Sequence, residues 1–493
     1  MLPTAPDTDR SRSRPTACVT ATRYTEMTRH PACSRRFRLV LSATLLALPL
    51  ITSAQTPKSV AERTPALVAA DLRFDPTAVP DAPRVLKLLE SSAAAEIARL
   101  SDTPLHVPPR RGRGVVSANW ISATFLVGLG RLARISDEPG PRAYVRNVAE
   151  HFNFGLLGAW SPRNMLDADN IAIGEVYQEL AARSGEPGEV APLRQRLDWT
   201  LPHLQVQPAP NQLVWWWCDA LFMAPPVYAR MSAQTNDPRY LQAMDVQWWR
   251  TYDRLWSKEH GLFFRDERFL TRKTRNGKPM FWGRGNGWVV AGLARLLDTM
   301  PESWPTRPRY VQVFQTMMAS VALLQRNDGL WTTSLLDDQD PPGAESTGSA
   351  FYTYAMAWGV NHGLLDRPAY LPHVTRAWAG LARLIQPNGL LGYAQRAGDQ
   401  PEPSGADDHE LYGTGGLLLA GIEILNLGRP VTKLPIAEPR RDAPGPVRLP
   451  IALLPKPEGH DTERLSRWER VMAERQAMVD LAYDPATLSG PKP

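Results

Sequence analysis

The sequence predicts an all-α protein, an (α/α)6 barrel built from six helical hairpins, and three observations lead there. Residues 80–427 carry the apolar periodicity of amphipathic helices almost without interruption. One loop motif recurs at Glu259-His260-Gly261-Leu262-Phe263, Asn327-Asp328-Gly329-Leu330-Trp331 and Pro387-Asn388-Gly389-Leu390-Leu391, with glycines 68 and 60 residues apart, the length of one hairpin and its loop. Strand signals are few and confined to loops, as at Gly261–Arg265 and Leu330–Leu335.

Taken in order, periodicity and end signals give helices over Pro83–Leu100, Ser117–Ile135, Pro141–Phe154, Ile171–Arg183, Val190–Leu204, Leu213–Ser232, Pro238–Leu255, Gly285–Thr299, Pro308–Arg326, Ser346–Gly363, Pro368–Ile385 and Gly413–Leu427. Five of the twelve open on proline, whose fixed φ and missing N–H suit a first helical position. The helix over Leu213–Ser232 runs through Pro225 and Pro226. Between the seventh and eighth helices, Phe263–Phe281 is a long charged loop, either a solvated connector or a ligand-lining segment. Twelve helices in a tandem array of pairs close naturally into a toroid at 80–428.

Composition fits one large helical domain: 493 residues, 43% hydrophobic, with 16 Trp. The formal charge of +6 arises mostly in residues 1–54, where eight Arg face Asp7, Asp9 and Glu26, leaving about +1 on the remainder. No nucleic-acid partner is expected from that balance. Arg35, Arg36 and Arg38 precede the apolar run Leu39–Ile51 and the small residues Thr52-Ser53-Ala54, which reads as a secretory signal cleaved after Ala54, with translation starting at Met1 or Met27. That run is short for a membrane span, so the expected product is periplasmic and free of the membrane, with residues 55–79 as a linker. Past Gly428, a Pro-rich strap leads to an amphipathic helix at Thr462–Leu481. Cys18 and Cys33 fall in the signal, so Cys218 is left alone and reads as a small packing residue. No metal or cofactor is called for. His362, His373 and His409 are isolated and read as surface or capping residues.

Two stretches carry chemistry. Phe281–Trp288, FWGRGNGW, sets Trp282, Arg284, Asn286 and Trp288 around glycines. Indole faces suit the apolar side of a pyranose, a guanidinium fork suits a carboxylate, and an amide reads hydroxyls. Trp282 and Trp288 are otherwise core residues, Arg284 an ion-pair former and Asn286 a helix cap. Trp215–Met223, WWWCDALFM, embeds Asp219 in an apolar run beside Trp217. An acid there is a cap, a satisfied structural acid, or a proton donor whose pKa is raised by dry walls. Asp169, in Leu166-Asp167-Ala168-Asp169-Asn170, precedes a helix and reads on its own as an N-cap.

The pairing of WCDALFMAPP with FWGRGNGW resembles glycoside hydrolase family 105, the unsaturated rhamnogalacturonyl hydrolases, and is similar to the unsaturated glucuronyl hydrolases of family 88. Glu345–Asp366 and Tyr412–Ile424 extend the resemblance across 81–427. It implies the same (α/α)6 fold, with Asp219 as general acid and base and Asp169 as the acid that orients water or binds sugar. Asn170 stands where the family has a second acid beside Asp169. Arg265 and Asp266 follow Gly261-Leu262-Phe263-Phe264 where some members carry a histidine, which makes Arg265 a further candidate ligand. The implied reaction removes a 4,5-unsaturated galacturonyl residue from lyase-generated rhamnogalacturonan, a pectin. The alternatives are unsaturated glucuronyl products of ulvan, arabinogalactan or glycosaminoglycan, or a non-catalytic glycan-binding toroid. Oligomeric state is not readable.

Overall fold

The computed structural model describes residues 67–101, 116–158, 162–205 and 213–427. The expected signal segment, the first part of the linker and the strap with its terminal helix lie outside the described residues.

Among the described residues there are twelve long helices: α1 (Ala82–Ser101), α2 (Trp120–Leu132), α3 (Pro139–His151), α6 (Gly174–Ser184), α7 (Ala191–Gln205), α9 (Pro225–Thr235), α10 (Pro238–Leu255), α11 (Gly283–Thr299), α12 (Arg307–Leu323), α13 (Ser346–Asn361), α14 (Arg367–Ala382) and α15 (Leu411–Asn426). Short helices α4 (Pro162–Leu166), α5 (Ala168–Ile171) and α8 (Ala220–Met223) precede α6 and α9. The α2, α6, α9, α11, α13 and α15 helices form a closed inner ring, each packed on the next and α15 packed back on α2. The other long helices lie outside them: α3 on α2, α10 on α9, α12 on α11 and α14 on α13, with α7 against α10. The sixth pair is made of the two ends of the domain, α1 against α15.

Composition decides which helix is inside. Every residue of α13 from Ser346 to Val360 is buried, as is every residue of α15 from Leu411 to Leu425, so both are enclosed on all sides. The outer α10 buries one stripe, including Tyr240, Leu241, Met244, Trp248 and Leu255. Inner helices approach closely where glycine removes a side chain: a Cβ on Gly128 of α2 would lie 2.6 Å from the Gly415 carbonyl of α15.

Alternation of inner and outer helices makes the inner ones parallel. Gly413 in the first turn of α15 faces Thr347 in the first turn of α13, and at the other end Asn361 Nδ2 donates to Glu423 (2.8 Å). Counting α5 with α6 and α8 with α9 as single inner segments, all six inner segments therefore start at one end of the barrel, and Glu175 lies two turns into the second of them. The opposite end is plugged by buried charge: Glu175 pairs with Arg295, with Arg230 at 3.7 Å and Arg131 at 4.0 Å. Burial pushes the Glu175 carboxyl up, but Arg295, Arg230 and Arg131 outweigh it and hold it at about 2.

The repeated loop motif has a backbone cause. Gly261, Gly329 and Gly389 all take positive φ (62°, 88° and 87°), the left-handed region that only glycine enters without strain. Two short hairpins, β1 (Trp256–Ser257) with β2 (Leu262–Phe263) and β3 (Trp331–Thr332) with β4 (Ala344–Glu345), stand in loops, as the sequence suggested. Two expectations are corrected. The helix over Leu213–Ser232 does not begin until Ala220 and is interrupted before Pro225, because proline lacks the N–H that would continue it. The described part of the linker is packed: Phe74 meets Trp378 edge-on at 5.8 Å, and Thr375 Oγ1 donates to the Pro76 carbonyl (2.7 Å).

Gly128 and Gly130 test the ring contact within one helix. Gly128→Ala should lower stability by about 1–3 kcal/mol through overpacking. Gly130→Ala, whose Cβ meets nothing within 4 Å, should raise it by about 0.5–1 kcal/mol through helix propensity. Thermal unfolding of both variants reads the contrast; equal shifts would remove the close-packed ring contact.

Candidate active site

The open end of the barrel collects the residues that precede the inner helices. Asn119 caps α2, accepting from the Ile121 and Ser122 N–H groups at 3.1 and 3.2 Å. Glu345 caps α13 by accepting from Thr347 (3.0 Å) and Gly348 (2.6 Å), and it also accepts from the Gln395 N–H (3.1 Å). Asp167 caps α5, accepting from the Asp169 N–H at 3.0 Å. Asp219 and Glu410 stand at the same N-cap positions of α8 and α15, and neither side chain makes a capping bond. Those two acids are left for other work.

Asp219 is buried, with 7% of its surface exposed, as are its neighbours in sequence Trp215, Trp217 and Phe222. Burial raises its pKa above the ordinary carboxylate range, opposed by Arg265, the Cys218 thiol and Arg284. The cation nearest to it is Arg265, whose Nε lies 3.5 Å from Asp219 Oδ2 and whose Nη1 donates to Asp266 at 2.8 Å. The backbone holds this pair together, since the Cys218 N–H donates to the Arg265 carbonyl (2.8 Å). Cys218 is a buried packing residue with Sγ 3.3 Å from Asp219 Oδ1, and burial and Asp219 push its thiol pKa well up. The chemistry available is that of an acid whose protonated form is favoured by burial, beside a cation that stabilises its conjugate base.

Asp169 is not itself the cap; Asp167 has that place, and Asp169 lies in the first turn of α5. That helix packs on α8, which brings Asp169's turn beside Asp219's. Asn170 Nδ2 donates to the Asn164 carbonyl (3.2 Å).

The FWGRGNGW stretch supplies framework where sequence reasoning expected sugar contacts. Asn286 is 0% exposed and fully engaged, accepting from the Phe263 N–H (2.8 Å) and donating to the Phe263 and Trp282 carbonyls (3.0 and 3.1 Å). It joins α11 to β2 and, fully buried, is out of reach of a hydroxyl from a bound sugar. Trp282 and Trp288 are each 1% exposed. Trp282 lies under the Arg284 guanidinium (4.6 Å) and donates from Nε1 to Gln395 Oε1 (2.9 Å). Trp288 is enclosed by Phe351 (4.4 Å), Phe222 (4.6 Å) and Trp120 (5.9 Å). Arg284 places Nη1 on the Gln395 carbonyl and Nη2 on the Arg396 carbonyl (2.8 Å), so the two-pronged grip on a carboxylate is already taken up by main chain. Its charge still acts on Asp219 and on Glu410.

Trp216 was underrated. It is 47% exposed, lies against Trp217 at 4.9 Å with the two ring planes tilted by 56°, and has the Arg265 guanidinium 5.3 Å from its ring. Three consecutive indoles in a turn cannot all face inward, which would have flagged one of them had the stretch not been read as helix. Tyr412 and the half-buried Trp120, stacked at 5.3 Å, form the facing wall.

Residues 104–427 match the family model described as Glycosyl Hydrolase Family 88. Two relatives, each named an unsaturated 3S-rhamnoglycuronyl hydrolase, come from Alteromonas sp. (strain LOR) and Formosa agariphila. The first is 34% identical over 68% of this chain and 84% of its own length, and the second 38% identical over 63% and 85%. A solved structure described as a glycosyl hydrolase family 88 protein from Bacteroides vulgatus is 27% identical and covers 70% of this chain and 99% of its own, with a TM-score of 0.62. The chain belongs to glycosyl hydrolase family 88 and is a glycosidase.

Proposed function

We propose that the enzyme removes a 4,5-unsaturated uronyl residue from the non-reducing end of lyase-generated oligosaccharides in which rhamnose is the neighbouring sugar. The observation that carries this reading is Asp219: a buried acid, its pKa raised by burial, uncapped at the open end of the barrel and paired with Arg265. The names of the two relatives support an unsaturated uronyl substrate joined to rhamnose. They favour neither galacturonyl nor glucuronyl, so the pectin-derived substrate and the ulvan-type one are separated by relative turnover on the two products.

In this reading protonated Asp219 delivers its proton to carbon 4 of the enol ether, and positive charge develops at carbon 5 and the ring oxygen. Arg265 stabilises the carboxylate left behind. Water adds at carbon 5 and returns a proton to that carboxylate, with Asp169 orienting the water or the sugar. The resulting hemiketal opens and releases the rhamnose-bearing product. One carboxyl acting first as acid and then as base suffices, unlike the paired acids of direct glycoside hydrolysis. Trp216 and Trp217 offer an aromatic surface beside Asp219 on which a sugar can stack.

Loss of the ultraviolet absorbance of the conjugated enol ether reads the reaction directly. Asp219→Asn should reduce kcat by about a hundred- to ten-thousand-fold while retaining substrate binding. Unchanged turnover removes Asp219 from the mechanism, and no decay on any unsaturated product leaves a glycan-binding toroid. Arg265→Met removes the cation that holds the Asp219 pKa down, so the acid stays protonated to higher pH. The alkaline limb of kcat, read at saturating substrate, should move up; a downward move would refute the pairing. Periplasmic location rests on Leu39–Ile51 and Ala54, and N-terminal sequencing of protein recovered from the periplasm should begin at Gln55.

A further inference from the structure

The six inner starts occur in ring order at Trp120, Asp169, Asp219, Arg284, Glu345 and Glu410, since α2, α6, α9, α11, α13 and α15 are neighbours in that sequence and α15 closes on α2. Third and sixth places in a ring of six are opposite. Glu410 therefore stands across the open end from Asp219, with Arg284 on the wall between them.

Three features set Glu410 apart from an ordinary cap. Its main chain is fixed, because its carbonyl accepts from the Gly413 N–H (2.9 Å) and the Thr414 N–H (3.3 Å), and the preceding His409 holds the Leu391 carbonyl through Nδ1 (2.9 Å). Its carboxyl makes no cap, and among the described residues no hydrogen bond or ion pair engages it. Glu345, the other glutamate at an inner start, is already held by three backbone N–H donors and is 1% exposed. Two residues on from Glu410, Tyr412 lies 4.9 Å from the Arg284 guanidinium, which ties this helical turn to the wall that carries the cation.

The charges around Glu410 are mixed. Burial raises its pKa, Arg284 and Arg99 lower it, and Asp408 and Glu96 raise it again. Glu410 is only partly buried, so its carboxyl, unengaged by the described residues, is open to hydroxyl donors from a ligand.

We propose that Glu410 is a substrate-contacting residue on the wall facing Asp219, where its carboxyl hydrogen-bonds hydroxyl groups of the bound uronyl ring and holds that ring against the acid. This assignment rests on the reading of the cleft as an unsaturated-uronide hydrolase. A sugar between two opposite acids is gripped from both sides, one carboxyl giving the proton and the other fixing orientation.

The test uses the full-length mature protein and an unsaturated uronyl-rhamnose disaccharide. Glu410→Ala should raise KM about tenfold or more with a smaller change in kcat, and Glu410→Gln, which keeps acceptor and donor atoms in place, should recover most of that loss. In the Asp219→Asn background, calorimetry should show Glu410→Ala weakening disaccharide binding by the same factor. Unchanged KM and unchanged binding with normal wild-type turnover would overturn the Glu410 assignment alone. So would a fall in kcat at constant KM, which would place Glu410 in the chemistry and not in the grip. Absence of wild-type turnover on every unsaturated product would overturn the functional reading and this proposal with it.

Discussion

The arrangement depends on how closely the inner helices touch. A ring of six parallel helices brings six helix starts to one end only if adjacent backbones come within the distance that Gly128, Gly415 and Gly287 allow. Wider spacing would set the walls apart and leave Asp219 without its aromatic lining. The buried charges around Glu175 fill the other end, where Arg131 and Arg295 near the C-termini of α2 and α11 also suit the negative ends of those helices. The two ends of the toroid thus differ in charge: an ion cluster gathers around Glu175 at one, and Asp219 and Glu410 stand at the other.

Electrostatics at the open end are set by a balance between burial and arginine. Burial pushes the Asp219 pKa up, and the Arg265 guanidinium 3.5 Å away opposes it without cancelling it. The opposite end shows the same contest with the other outcome. Three arginines around Glu175 overcome a comparable burial, and its carboxyl is firmly ionised. Three arginines lower the Glu175 pKa, whereas burial outweighs the pull of Arg265 and Arg284 at Asp219.

Much of the fold was legible because the inner and outer helices are distinguished by composition, and because the loop glycines Gly261, Gly329 and Gly389 mark a left-handed turn that recurs. Asp219 stood out as an acid inside an apolar run. Periodicity failed at Trp215-Trp216-Trp217, since an unbroken apolar stretch has the same signature in a helix and in a buried turn, so the exposed Trp216 was hidden among its neighbours. The FWGRGNGW residues were misjudged for a related reason. The residue types that recognise a sugar also anchor backbone, and only coordinates reveal that Asn286 and the Arg284 fork already hold carbonyls. Glu410 gave no signal at all, because its interest lies in ring position, a property of closure and not of local sequence.

The pairing of α1 with α15 has a bearing on biosynthesis. Leu89 of the first helix fits against Gly421 of the last, and Thr414 Oγ1 donates to Glu96 (2.8 Å) across the same seam. A growing chain emerging from the ribosome cannot make this seam until Asn426 has been translated, so α1 and one flank of α2 wait with apolar surface uncovered through nearly the whole of synthesis. The long-range contact that closes the ring is also the one that holds the helix beginning at Glu410, so the open end takes its form only once α15 has docked.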